Sequence, residues 1–530
     1  MTEQSFDVVI VGAGFSGMHL LHRVRGLGLS VRVVEAGSDV GGTWYWNRYP
    51  GARVDVESMQ YSLQFDEDLQ QQWQWSERYS PQPEVLEYAR HVADRFELRS
   101  DIQFNTRINA ARFNPTDEQW VLTAEDGSVL AARFFIMATG CLSKPNWPHV
   151  EGLNDFAGPT YHTALWPHDP VDFSGCRVAV IGTGSSAIQS IPVIAEQAKE
   201  LFVFQRTANF TVPAHNKPLD KEYEAQVKSR YAEFRAEANQ TFAALNGDYR
   251  TRSAHKDSPE EREAEYERRW EVGGLTFLGA YGDLLTDKAA NDTASEFVRN
   301  KIRSIVDDPA VAESLCPKTI IGAKRLCVDT NYYATYNLTH VHLIDVRESP
   351  IEAITARGVR AQGKLYEVDR LVLATGFDAM TGALTAVDIR GLEDRSLSDI
   401  WEDGPSSYLG LAMADFPNLF TVTGPGSPSV FTNMMPALEQ HVEWIAACLG
   451  YMKAHDHKTI EASLAAQTAW WDHHQEIAGR TLKSSIESWY LGSNVHGKSR
   501  VFMPYFGGYP QYCQKCEDVA ANDYEGFMFG

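Results

Sequence analysis

Two strand–glycine loop–helix units and one long stretch without strand alternation predict an α/β fold with two dinucleotide-binding domains and a helical insertion. The loops are Gly12-Ala13-Gly14-Phe15-Ser16-Gly17 and Gly182-Thr183-Gly184-Ser185-Ser186-Ala187, about 170 residues apart in a chain of 530. One such loop is a weak signal. Two in this setting imply two dinucleotides on one protein, the arrangement of enzymes that pass a hydride from a nicotinamide to a flavin.

The first unit opens on the apolar run Phe6 to Val11, which reads as a buried parallel strand. Gly12 permits the tight turn, Gly14 lets the backbone approach a pyrophosphate, and Gly17 lets the helix pack on the strand. Met18 to Leu27 is the predicted helix, its amides and dipole facing the phosphates. A second strand, Val31 to Glu35, ends in an acid 23 residues after Gly12, where a ribose-binding carboxylate is expected. The alternative is a structural βαβ unit without a ligand.

The second unit repeats this Rossmann-like pattern with one change. Arg177 to Ile181 is the strand, Ser185 to Ala198 the helix, and Leu201 to Gln205 the next strand, which runs into Arg206-Thr207. A cation now stands where the first unit has an acid. An acid there repels a 2′-phosphate and an arginine accommodates it, so the first site is assigned FAD and the second NADPH. An arginine at a strand end is also an ordinary surface residue.

Composition agrees. A chain of this length exceeds what one core supports, so two or three domains are expected. It is 44% hydrophobic and 22% charged, as for a globular enzyme. The net charge of −22 argues against nucleic acid or anionic membrane partners. The N-terminus lacks the pattern of a signal peptide, and no apolar run approaches the ~20 residues of a membrane span. Of seven cysteines only Cys513 and Cys516 form a CxxC pair, half a zinc site at most. No metal is expected, and a reduced cytoplasmic chain fits the scatter. A disulfide reductase carries its redox cysteines shortly after the FAD ribose strand, and Gly41 to Ser58 contains none.

That stretch instead holds Trp44, Tyr45, Trp46 and Tyr49 among glycines, with Asp55 close behind. Such a loop is costly unless it packs on something flat; a flavin ring is one candidate, a domain interface the other. From Lys221 to Asp308 charged residues and alanines dominate without strand alternation, which predicts a helical subdomain that walls off substrate. Ser258-Pro259-Glu260-Glu261 is a helix start with N-cap, Pro at N1 and Glu at N3. Glu260 to Arg269 is expected to be a solvated helix face.

Between the two loops stands Phe156-Ala157-Gly158-Pro159-Thr160-Tyr161-His162-Thr163-Ala164-Leu165-Trp166-Pro167. It fits the FxGxxxHxxxW(P/D) fingerprint of type I Baeyer–Villiger monooxygenases. The resemblance runs over essentially the whole chain and looks closest to the phenylacetone, steroid and cyclohexanone monooxygenase group, through phrases such as Gly42 to Arg53 and Gly424 to Ser429. The second loop departs from GxGxxG by ending in Ala187, which touches only helix packing.

The resemblance implies that Ala138-Thr139-Gly140 and Ala374-Thr375-Gly376 are paired connections between the two nucleotide domains. The expected domains are then 1–143 and 378–530 for FAD, 144–209 and 328–377 for NADP, and 210–327 for the helical insertion. Arg325 matches the family's active-site arginine and Asp55 the carboxylate that pairs with it. Lys324, with Arg206 and Thr207, matches the 2′-phosphate contacts, and Trp489 a residue near the ribose and nicotinamide amide. The cofactor-binding set further takes in Gly12, Gly14, Ser16, Gly17, Glu35, Gly42, Thr43, Trp44, Trp46, Arg53, Tyr61, Ile108 and Met434. From the second unit come Gly182, Thr183, Gly184, Ser185, Ser186 and Gln189. His162 invites a general-base role, but its place at a domain linkage reads as structural.

The implied chemistry is NADPH- and O2-dependent insertion of one oxygen next to a ketone carbonyl, through a C4a-peroxide of the reduced flavin, giving an ester or lactone. Arg325 offers that anion a permanent charge and planar donors. The alternatives are an N- or S-oxidising flavin monooxygenase and a flavin-bound redox or interaction protein without turnover. The ketone and the oligomeric state are not legible.

Overall fold

The computed structural model describes residues 4–530. Its larger sheet has eight strands. Seven lie side by side in the order Asp388–Arg390, Ile108–Asn114, Gln119–Ala124, Val129–Met137, Gln4–Val11, Val31–Val34 and Ile102–Gln103, and Leu419–Thr421 pairs with Val129–Met137. Gln4–Val11 runs parallel to both its neighbours, with Val8 opposite Val31 and Phe134. Val8, Val9 and Ile10 have no exposed surface, as a strand covered on both faces requires.

The second sheet has five parallel strands in the order Val341–Asp345, Glu200–Gln205, Arg177–Ile181, Arg370–Leu373 and Thr160–His162. All of its strands fall between two segments of the first sheet in sequence. A three-stranded antiparallel meander, Ile351–Thr355, Gly358–Ala361 and Lys364–Glu367, lies apart from that path. The two crossings of the chain run side by side. Asn146 N donates to Gly376 O at 2.9 Å, Thr375 Oγ1 to Asn146 O at 2.6 Å, and Asp378 N to Lys144 O at 2.9 Å.

The helical stretch begins and ends at a two-stranded parallel pair, Thr211–Pro213 with Cys327–Asp329. Between them lie helices Lys221–Ser229, Tyr231–Asn239, Pro259–Val272, Lys288–Ile305 and Pro309–Leu315. The capping box at Ser258 and Glu261 forms as the spacing predicts. Among the described residues no helix is long and apolar enough to cross a membrane.

The reading of Glu260 to Arg269 as a solvated face fails at Tyr266 and at two charged positions. Glu265 and Arg269, one turn apart, are side chains only 3% and 2% exposed and pair at 2.7 Å. Arg250 and Arg268 also reach Glu265, and Arg269 donates to the carbonyls of Asp248 and Thr276. The charge pattern hid this because the i,i+4 pair turns inward and pins the loops at Asp248 and Thr276. Removing one partner of a buried pair leaves an uncompensated charge. Glu265→Ala is therefore expected to cost roughly 3–5 kcal/mol, read as a lowered urea midpoint with the helix signal.

Candidate active site

The first glycine loop follows directly from its strand. Gly12 has φ +106°, and a Cβ on it would lie 2.7 Å from Ala138 O. A Cβ on Gly17 would lie 1.8 Å from Gly12 O, so helix and strand close on each other only without a side chain there. Phe15–Gly26 is the helix, three residues earlier than predicted because Gly14 serves as N-cap. Neither Gly14 nor Gly184 supplies a side-chain cap, whereas Asp66, Asp220, Ser258, Asp287, Asp308 and Ser463 do so at other helices. Helix amides left bare beside a glycine loop fit a phosphate.

Glu35 is buried, its two carboxylate oxygens accepting from Ala13 N and Gly37 N at 2.7 Å each. Gly42, at φ +52°, packs against Gly14, and Ser16 lies in the first helical turn. Thr43–Trp46 forms a short helix. Trp44 donates to Tyr61 OH at 3.2 Å, and Trp46 meets Tyr45 edge-on at 5.0 Å. Burial pushes the Tyr61 phenol up to about 12. Ile108 is buried in the core of the larger sheet, and Met434 starts the helix Met434–Ala454 behind the N-cap Asn433.

The second loop repeats the geometry. Gly182 has φ +113°, and its Cβ would meet Ala374 O at 2.3 Å, as Gly12 meets Ala138. A Cβ on Gly184 would meet nothing within 4 Å, which leaves open space for a pyrophosphate. Ala187 is fully buried in the helix Ser185–Ala195, so the departure from a third glycine is absorbed in packing. Thr183 Oγ1 donates to Thr207 O at 2.8 Å. Ser186 pairs with Thr163 and Ser185 with Cys327, both at 3.2 Å. Gln189 ties this helix to the aromatic loop, accepting from Tyr49 OH at 2.8 Å and donating to Arg53 O at 3.1 Å. The Arg53 guanidinium itself is taken by Glu77 at 3.1 Å.

Arg206 is exposed at the strand end, near Lys324. Burial and then Arg206 hold the Lys324 ammonium below its usual range. Two neighbouring cations, neither within ion-pair distance of a carboxylate among the described residues, fit a 2′-phosphate.

Arg325 and Asp55, 270 residues apart, form a two-pronged pair. Nε donates to Oδ2 at 2.6 Å and Nη2 to Oδ1 at 2.8 Å, while Nη1 donates to Val430 O at 2.6 Å. Burial alone would lower the guanidinium; Asp55 more than offsets it and holds it raised. A fork fixed on three sides leaves little freedom for the remaining donors. Beside Asp55 opens a cleft of about 150 Å³, lined by Gln60 and Tyr79 and by Leu245, Asn246, Leu275 and Thr276 of the helical stretch. Trp489 packs on Tyr490 at 4.1 Å, against an apolar cluster with Cys141, Met380, Val430, Phe502 and Met503.

His162 is buried and its Nδ1 accepts from Ala164 N at 3.0 Å. Nε2 lies 3.4 Å from Asn146 O and 3.2 Å from Thr375 Oγ1, on the two chain crossings. Burial lowers its basicity. Sequence reasoning missed two groups. The Val430 carbonyl has no side-chain signal, and Lys483 sits in a run, Thr481 to Ile486, that matches no motif.

The fold and these two sites define a flavoprotein oxidoreductase that also holds a nicotinamide dinucleotide. Residues 9–263 match the family model described as pyridine nucleotide-disulphide oxidoreductase. A phenazine N-monooxygenase of Lysobacter antibioticus is 41% identical over 99% of this chain and 97% of its own. A Baeyer–Villiger monooxygenase of Pseudooceanicola batsensis is 40% identical over 99% and 96%. Among solved structures, a steroid monooxygenase bound to NADP is 49% identical with a TM-score of 0.95, covering 99% of each chain. A closed cyclohexanone monooxygenase is 39% identical over 100% of each chain, with a TM-score of 0.98. An open one, 38% identical over 99% and 100%, scores 0.92. The chain belongs to the Baeyer–Villiger monooxygenase family and is an FAD-containing, NADPH-dependent monooxygenase.

Proposed function

We propose that this enzyme inserts one oxygen atom of O2 beside the carbonyl of a small-molecule ketone to give an ester or lactone. Ketone, O2, NADPH and a proton yield ester, NADP⁺ and water. The observation that carries this reading is the Arg325–Asp55 pair: Val430 O and Asp55 fix the guanidinium, and Asp55 lines the cleft.

In this reading residues 1–143 and 378–530 hold FAD, 144–209 and 328–377 hold NADP, and 210–327 wall the substrate. Gly12, Gly14, Ser16, Gly17 and Glu35 cradle the FAD pyrophosphate and ribose. Gly42 to Trp46, Tyr61, Ile108 and Met434 surround the rest. Gly182 to Ser186 with Gln189 hold the NADP pyrophosphate; Arg206, Thr207 and Lys324 take its 2′-phosphate, and Trp489 its nicotinamide side. Arg53 contributes its backbone carbonyl through Gln189, its charge being taken by Glu77.

When bound, reduced FAD supplies the activation of O2. Asp55 fixes the Arg325 plane, and Arg325 donates to negative charge developing on oxygen. The aromatic loop and the helical insertion exclude water. His162 pins the chain crossings and does not move a proton. The structure is more similar to a closed relative than to an open one, and we read it as the closed state of an enzyme that opens and closes over its nucleotides.

Arg206→Ala removes one charge-assisted contact, worth roughly 1.5–3 kcal/mol. The expected result is a KM for NADPH raised about ten- to a hundredfold with that for NADH little changed. Equal use of both coenzymes by the unaltered enzyme would sink the assignment. The N-oxidising relative at 41% identity favours a second reading, oxygen transfer to a ring nitrogen of an aromatic heterocycle. Product analysis by mass spectrometry over linear, cyclic, aromatic and steroidal ketones, with a phenazine alongside, decides between them. Esters support the first reading, and N-oxide without ester supports the second.

A further inference from the structure

Gln60 is buried, and its side chain crosses the cleft beside Asp55. Oε1 accepts from Asn246 N at 2.7 Å, and Nε2 donates to Asn246 O at 3.4 Å. Gln60 stands on the wall that follows the aromatic loop, and Asn246 on the wall supplied by the helical stretch. Both backbone groups of one residue are thus taken by one side chain from the opposite wall.

Both ends of this strut are fixed. Gln60 O accepts from Arg235 Nη1 at 3.0 Å and from Asn433 Nδ2 at 2.6 Å, and Tyr231 OH donates to Met59 O at 2.8 Å. The facing loop closes on itself. Leu245 N donates to Thr241 Oγ1 at 2.9 Å and Asn246 Nδ2 to Phe234 O at 2.6 Å. Ala244 within it is buried at φ +51°, a conformation that a non-glycine residue keeps only where its surroundings over-determine it. A second crossing, Arg78 Nη1 to Val272 O at 2.9 Å, joins another part of the helical wall and is itself held by Glu57.

We propose that Gln60 is a specificity-determining residue: by tying Asn246 across the cleft it sets the spacing of the walls, and so limits the ketone beside Asp55 to roughly one six-membered ring. The proposal rests on the reading of the cleft as the ketone site. The cleft measures about 150 Å³, and a cavity of about that size accommodates a benzene ring. A ketone with a second ring fits only if the loop that bears Asn246 moves away from Gln60. That movement leaves both polar ends of a buried amide side chain without partners, which is costly. The strut therefore discriminates by size, through the cost of parting the walls.

The test compares cyclohexanone with 4-phenylcyclohexanone on the FAD-loaded enzyme. The readout is the ratio of kcat/KM for ester formation from the two. The wild type is expected to prefer the single ring by about tenfold or more. Gln60→Met keeps the length of the side chain and removes both bonds. Its preference is expected to fall by about tenfold, chiefly through a lower KM for the larger ketone. A role confined to folding would depress both ketones alike and leave the ratio where it was. Retained FAD and thermal midpoint verify folding. Where either is lost, Gln60→Glu, which keeps the acceptor for Asn246 N and loses the donor, takes its place, with a smaller shift in the same direction. Dissociation constants of the two ketones, read from flavin absorbance of the oxidised enzyme with NADP⁺, give the same ratio without turnover. An unchanged ratio in the variant, or a wild type that takes both ketones equally well, would overturn the proposal. Absence of ester from either ketone would instead remove the ketone reading beneath it, and the dissociation constants still decide whether Gln60 sorts ligands by size.

Discussion

Arg325→Ala is expected to abolish ester formation while leaving anaerobic reduction of the flavin by NADPH measurable. Hydride transfer needs the two nucleotides aligned, and in the proposed reading the residues that align them lie on the glycine loops and at Arg206 and Lys324. Oxygen transfer needs a fixed cation, and Arg325 is the guanidinium that Asp55 and Val430 immobilise beside the cleft. Loss of one preorganised donor at a developing anion costs about two to three orders of magnitude in rate. Oxygen consumption continues and is diverted to hydrogen peroxide. Asp55→Ala acts in the same direction but less, because Arg325 stays charged and is only misplaced. It also slows reduction, since Asp55 belongs to the loop that Gln189 ties to the second nucleotide unit. The observable is ester and hydrogen peroxide per NADPH consumed, with reduction followed separately by stopped flow. Ester formed by Arg325→Ala at close to the original rate would place the essential cation elsewhere.

Gly12→Ala is expected to give a protein that purifies without its yellow colour. The position has φ +106° and no room, since the added carbon would lie 2.7 Å from the carbonyl of Ala138. Both the loop and the chain crossing at Ala138 to Gly140 must shift. A left-handed backbone at a non-glycine residue adds about 1–2 kcal/mol of strain. The same shift moves the bare helix amides to which the proposed reading assigns the FAD pyrophosphate. Gly184→Ala provides the contrast. Its Cβ meets nothing, so FAD is retained, while NADPH binding weakens because the carbon occupies the pyrophosphate's path. Absorbance of the two purified variants and flavin bleaching by NADPH without air distinguish the cases. A fully yellow Gly12→Ala protein would mean that the first loop is structural only.

Much of the fold was legible because its signals are local. A strand, a glycine loop and a helix follow one another within each unit, and the capping box at Ser258 needs only four adjacent residues. Arg206 was legible for the same reason, as a cation at the position where the first unit carries Glu35. The Arg325–Asp55 pair was not readable from spacing, because its partners lie 270 residues apart. It came from the family resemblance, and the geometry brings the two together. Glu265 and Arg269 were misread because charge predicts exposure until the helix face they share is known to be covered. Arg53 looked like a nucleotide contact, yet its guanidinium is spent on Glu77. The Val430 carbonyl and Lys483 were invisible for different reasons: the first acts through backbone, and the second is buried by Gly322 and Phe431, far from it in sequence, together with Tyr490 and Phe506.

The central claim is oxygen transfer from O2 to a ketone with NADPH as reductant. Its most direct test is turnover of the purified yellow enzyme with NADPH and a ketone under ¹⁸O2, with mass spectrometry of the product. The account predicts an ester or lactone carrying one labelled oxygen for each NADPH oxidised. NADPH oxidation that yields only hydrogen peroxide with every ketone, while a phenazine gains the label as its N-oxide, would contradict it.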